Sequence, residues 1–121
     1  MTKRILIADD EEEIVELLRT ALEVHGYEVC STYYGGRVPE LVKSNKPDLL
    51  ICDVMMPGLD GFSLQLELSD NAETCTLPVI VMTALPATQQ LFARFPQVKL
   101  FVNKPFDTDV IVAKVKELVG S

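Results

Sequence analysis

Short apolar runs alternate with longer amphipathic stretches along the whole chain. Residues 5–8, 27–32, 48–53, 78–83 and 98–102 have the length and apolar content of buried strands. After the first run, Ile14, Val15, Leu17, Leu18, Ala21 and Leu22 recur at helical spacing, which predicts a helix over 11–24. Its acids Glu11, Glu12 and Glu13 fall in the first turn, where the helix dipole favours them, and Gly26 stops it. Further helices are expected over 38–44, with Pro39 in the tolerated first turn, over 62–68, and over 107–119, capped by Asp107 or Thr108. Between Pro86 and Pro96 the pattern allows two or three helical turns around Leu91, Phe92 and Phe95. Strict strand–helix alternation predicts an α/β fold: a doubly wound parallel sheet of five strands with both faces covered.

Composition narrows the functional classes. At 121 residues the chain is read as one domain, residues 1–121, able to bury a core without disulfides. A net charge of −7 argues against direct nucleic-acid binding and favours a basic protein partner or a bound cation. The three cysteines have no metal-ligand spacing; Cys30 and Cys52 are expected in the core and Cys75 as an exposed thiol. No run approaches the ~20 apolar residues of a membrane span, and the start lacks the form of a signal peptide. A cytoplasmic protein without membrane contact is the expectation.

Candidate chemistry lies where the strands end. Asp9 and Asp10 follow the first, Asp53 closes the third, Thr83 closes the fourth and Lys104 follows the fifth. Parallel strands bring all of these to one edge of the sheet, where open α/β sheets bind ligands. Three carboxylates gathered there repel one another unless a cation lies among them, and hard oxygen donors suit Mg²⁺. Asp53 would then be a carboxylate nucleophile for phosphoryl transfer, already deprotonated near neutral pH, with Lys104 and Thr83 positioned to engage phosphoryl oxygens.

Asp9-Asp10, Asp53 with the following Met55-Met-Pro-Gly-Leu-Asp-Gly61, Thr83-Ala84 and Lys104-Pro105 together resemble the receiver domain of two-component response regulators, in order and in spacing. The resemblance spans essentially the whole chain. It implies a flavodoxin-like (βα)5 fold of strand order 2-1-3-4-5, and Mg²⁺-dependent acceptance of a phosphoryl group by Asp53 from a histidine kinase or phosphotransfer protein. It also implies Mg²⁺ ligation by Asp10, Asp53 and the Met55 carbonyl, with Asp9 at least through water. Thr83, the Ala84 amide and Lys104 would hold the phosphoryl oxygens, and Thr83 with Phe101 would form the switch. A cis peptide before Pro105 is a family habit, as is homodimerisation through the fourth helix, fifth strand and fifth helix. The output would be a downstream protein target or an output domain missing from this chain; both a single-domain receiver and a piece of a longer regulator fit.

Several residues invite plainer readings. Asp10 could merely cap the helix after it; Asp9, Asp53 and Lys104 in register outweigh that. Asp60 reads as a turn former, His25 as a solvated helix-end residue, and Met55, Met56 and Met82 as packing residues. Phe101 stands where the family often has Tyr, so a ring is kept without a hydroxyl. Leu91, Phe92 and Phe95 form either an apolar partner surface or part of the core. Met55 and Leu85 hold positions that tune aspartyl-phosphate hydrolysis in the family, and neither side chain can orient a water. Competing functions are weaker. A phosphohydrolase would want an acid where Met55 stands, and a flavin carrier would want a hydroxyl-rich loop in place of Asp9 to Glu13. A docking module independent of phosphorylation would keep the fold without needing the chemistry.

Overall fold

The computed structural model describes residues 2–120. Five strands, β1 (Arg4–Ala8), β2 (Glu28–Thr32), β3 (Leu49–Asp53), β4 (Val79–Thr83) and β5 (Val98–Asn103), form one parallel sheet in the order β2-β1-β3-β4-β5. The helices are α1 (Glu12–Glu23), α2 (Val38–Asn45), α3 (Gly61–Ser69), α4 (Gln89–Phe92) and α5 (Thr108–Val119). Short 3-10 turns at Gly35–Arg37 and Pro86–Thr88 lead into α2 and α4.

Successive residues of a strand point to opposite faces, so each central strand feeds two cores. From β1, Ile5 and Ile7 join Val15, Leu18, Ile111 and Val115 under α1 and α5, while Leu6 and Ala8 join Val38, Val42, Leu64 and Phe92 under α2, α3 and α4. Both β3 and β4 are buried along their full length, as their near-continuous apolar sequences require. Cys52 lies in this core, where burial pushes its thiol up to about 12. Cys30, expected inside, is only half-buried because β2 is an edge strand; Cys75 is exposed.

Local chemistry explains most helix ends. Gly26, at φ +89°, takes the left-handed conformation that closes the turn after α1. Asp107 accepts the Asp109 amide at 2.9 Å and caps α5. Asp60 is more than a turn former: its carboxylate accepts the Ser63 amide and hydroxyl, both at 2.9 Å, and caps α3. Those bonds hold the Asp60 carboxyl below its ordinary pKa.

The segment between Pro86 and Pro96 is the main departure from expectation. Its helical part is a 3-10 turn, Pro86–Thr88, running into one four-residue α-turn without a side-chain cap, shorter and less regular than two or three α-helical turns. Phe92 and Phe95 are buried and Leu91 is half-exposed, so the two phenylalanines belong to the core. Phe62 meets both edge-on with centroids 6.0 Å away, and the Arg94 guanidinium lies 5.5 Å from Phe62 and 5.0 Å from Phe95. Nearby, a buried amide pair ties α3 to the start of β5. Gln65 donates to Gln97 at 2.7 Å, and Gln97 donates to the carbonyls of Thr74 (3.1 Å) and Leu77 (2.8 Å).

An acidic pocket at the carboxyl edge of the sheet

Backbone bonds beyond the strand ends fix the loops that carry the candidate residues. Asp9 N–H donates to the Thr32 carbonyl (3.2 Å), Val54 N–H to Met82 (3.0 Å), and Lys104 N–H to Thr83 (2.7 Å). The last of these locks two candidate residues together by their main chains. The loop after β3 is braced from the side: Gly35 N–H donates to the Pro57 carbonyl at 2.9 Å, and the Tyr34 ring lies over Gly58, itself at φ +91°. A Cβ on Gly35 would stand 2.0 Å from the Leu59 carbonyl oxygen, so only glycine fits that crossing.

Asp9, Asp10 and Asp53 present carboxylate oxygens that all lie within 4.8 Å of one another; Asp9 and Asp53 are buried and Asp10 exposed. Lys104 enters this group directly after β5, just before a cis peptide to Pro105, with Nζ 2.8 Å from Asp9 Oδ2 and 3.0 Å from Asp53 Oδ2. Asp10 caps nothing. Asp9 supplies the bond at the start of α1 instead, accepting the Glu11 amide on Oδ1 at 2.8 Å. Burial raises the Asp9 pKa, and the charge of Asp53 adds to this, against the pull of the adjacent Lys104 ammonium and the hydrogen bond from Glu11 N–H. For Lys104 burial pulls downward, but the close contacts and negative charge of Asp9 and Asp53 outweigh it and leave the ammonium above its ordinary range.

The donor set fits a hard divalent cation. Among the described residues, carboxylates outnumber the single ammonium, and buried Asp9 Oδ2, although close to Lys104, has no partner in hydrogen-bond geometry. The Met55 amide sits 3.4 Å from Asp53 Oδ1, which draws the loop's backbone against the carboxylate. Met55's side chain is exposed, against the expectation of packing, whereas Met56 and Met82 are buried. His25 is exposed at the end of α1.

Thr83 is fully buried at the tip of β4, its hydroxyl oxygen accepting the Leu85 amide at 2.8 Å. Ala84 and Leu85 follow at the exposed rim. Phe101 is half-buried, 6.0 Å from the Phe92 ring, and thus joined to the aromatic group under α4. One contact was not anticipated. Glu11 Oε2 reaches Lys104 Nζ at 3.2 Å, although Glu11 reads in sequence only as a first-turn acid. Its place directly after Asp9-Asp10 was the available signal.

Comparisons with known proteins agree with this geometry. Protein PilH of Pseudomonas aeruginosa is 32% identical over 118 residues, covering 97% of this chain and 98% of that protein. Response regulator GtcR of Aneurinibacillus migulanus is 37% identical over 117 residues; the match takes in 96% of this chain but 47% of GtcR, so the chain spans about half that relative. Among solved structures, response regulator TrrA of Thermotoga maritima in complex with Mg²⁺-BeF superposes with a TM-score of 0.85 at 31% identity, over 98% of this chain and 100% of that one. The family model for the response regulator receiver domain matches residues 5–116, nearly the whole of the sheet and its helices. With fold, acidic pocket and relatives in agreement, the chain belongs to the response regulator receiver domain family, whose members are phosphorylation-dependent signalling receivers.

Proposed function

We propose that Asp53 accepts a phosphoryl group from a phosphohistidine of a histidine kinase or phosphotransfer protein. The observation that carries this reading is the grouping of Asp9, Asp10 and Asp53 around one edge of the sheet with Lys104 among them. In the transfer the P–N bond to imidazole breaks and a P–O bond to an Asp53 carboxylate oxygen forms. Asp53 needs no general base, being acceptor-only when ionised. Asp10, Asp53 and the Met55 carbonyl would hold Mg²⁺, with Asp9 at least through water; bound there, the ion offsets phosphoryl charge. Lys104, 3.0 Å from Asp53 Oδ2, also engages a phosphoryl oxygen. Thr83 and the Ala84 amide serve the remaining oxygens once the Thr83 hydroxyl gives up Leu85. That movement opens space beside Phe101, which rotates inward and alters the surface formed by α4, β5 and α5. The protein promotes no reaction but its own phosphorylation and dephosphorylation, and its output passes to a protein target or an output domain.

Intact-mass spectrometry after incubation with Mg²⁺ and acetyl phosphate tests the assignment. A single phosphoryl adduct is expected, lost without Mg²⁺ and absent from Asp53→Asn. An adduct that survives in Asp53→Asn would place the chemistry elsewhere.

Once formed, the acyl phosphate should persist. Met55 and Leu85 have exposed side chains at the rim, and neither offers a group to orient an attacking water. Met55→Asn and Leu85→Glu should each hasten loss of the adduct about tenfold, a barrier change of about 1.4 kcal/mol. Decay followed by mass would show it, and unchanged half-lives would remove these positions from the account.

A further inference from the structure

Taking Asp53 as the phosphoacceptor, we propose that Glu11 is an anionic placeholder for the phosphoryl group. It occupies the Lys104 ammonium in the unmodified protein and must be displaced when the site fills, so it sets how readily filling occurs.

The coordination of Lys104 supports this. An ammonium has three N–H donors. Two are directed at Asp53 Oδ2 (3.0 Å) and Glu11 Oε2 (3.2 Å), Asp9 Oδ2 crowds the ammonium at 2.8 Å as an ion-pair partner, and the lysine side chain is only 11% exposed. A phosphoryl oxygen arriving on Asp53 needs one of these places. Asp9 is buried and pinned through its other oxygen by the Glu11 amide, so moving it would disturb the start of α1. Asp53 keeps one unesterified oxygen beside the lysine after the other takes the phosphorus.

Glu11 has the longest contact and a side chain 57% exposed, which can swing into water at little cost. Its backbone need not follow. Its carbonyl accepts the amides of Ile14 (3.0 Å) and Val15 (3.2 Å), so the main chain stays anchored to α1 while the carboxylate turns out. An exchange of one anion for another follows. Glu11 keeps the lysine charge satisfied while Asp53 is bare, and its own charge opposes the entry of a phosphoryl group.

Glu12 and Glu13 provide internal controls. Both are exposed acids on the same turn, and the lysine's carboxylate contacts are to Asp9, Glu11 and Asp53 only, among the described residues. Neutralising either changes the overall charge as Glu11→Gln does, without freeing Lys104.

The test is beryllofluoride binding in saturating Mg²⁺, followed by NMR or calorimetry, for the wild type, Glu11→Gln, Glu12→Gln and Glu13→Gln. Glu11→Gln should bind about fivefold more tightly than wild type, the scale of a partly exposed ion pair, and the controls within about 1.5-fold. The advantage should shrink as ionic strength rises. Equal affinities for Glu11→Gln and the controls would overturn the placeholder, and so would weaker binding. Titration with Mg²⁺ alone separates a different role. A loss of Mg²⁺ affinity in Glu11→Gln well beyond that of Glu13→Gln would make Glu11 a metal ligand and overturn the proposal. If the wild type and every variant alike fail to bind beryllofluoride, the assignment of Asp53 falls, and the placeholder with it.

Discussion

Replacing Lys104 with Met should destabilise the metal-free protein by about 3 kcal/mol, because it strips the counter-ion from two buried carboxylates. Asp9 and Asp53 are buried and each accepts a loop amide on its other oxygen, so their repulsion falls on the folded state. The loss should be reversible in a specific way. A divalent cation binds the folded pocket and not the unfolded chain, so Mg²⁺ at a hundred times its dissociation constant restores about 2.7 kcal/mol. Urea denaturation of the variant with and without Mg²⁺ would read both effects. A variant as stable as the parent, or one indifferent to Mg²⁺, would show that the buried carboxylates do not depend on Lys104 for a counter-ion.

The second large effect is expected at Phe92. A four-residue helix without a side-chain cap has almost no stability of its own, since nucleating one turn costs more than its hydrogen bonds return. Tertiary anchoring by the buried rings must hold α4. Phe92→Ala should therefore cost about 4 kcal/mol and free the segment between Pro86 and Pro96. Hydrogen exchange should show loss of protection there, while the start of α1 stays protected. Leu91→Ala, one residue away but half-exposed, should stay within about 0.5 kcal/mol of the parent. Equal costs for the two would mean that α4 is held by something other than its buried rings.

The contrast between these two regions shows what the sequence could disclose. Strands were legible because β3 and β4 are buried on both sides and read as unbroken apolar runs, and parallel pairing sends their ends to one edge. Asp9, Asp10, Asp53, Thr83 and Lys104 are placeable at that edge from chain order alone; the structure groups the three acids with Lys104, and joins Thr83 to Lys104 through the main chain. Less legible were features decided by a distant partner. The extent of α4 depends on what Phe92 and Phe95 meet, and Phe62, some thirty residues earlier, meets them both. The Gln65–Gln97 pair is hidden for the same reason, since each amide alone looks like a surface residue. Asp60 beside Gly61 reads as a turn signal, and its cap on Ser63 follows only once the helix start is known. Glu11 was assigned by its own helix, while its nearest cation comes from Lys104 at the other end of the chain.

The crossing at Gly35 bears on how this receiver could be rebuilt. Loops around residues 33–36 and 54–60 are separate in sequence, yet Gly35 lies against Leu59, the Gly35 amide is bonded to Pro57, and Tyr34 roofs Gly58. The two behave as a single interchangeable part. A chimera that imports the loop following Asp53 from another receiver, while leaving 33–36 in place, would bring a new backbone course against a glycine shaped for the old one. Transplants made as a matched pair keep the seam intact. A receiver assembled by loop exchange inherits its phosphorylation pocket from two places at once.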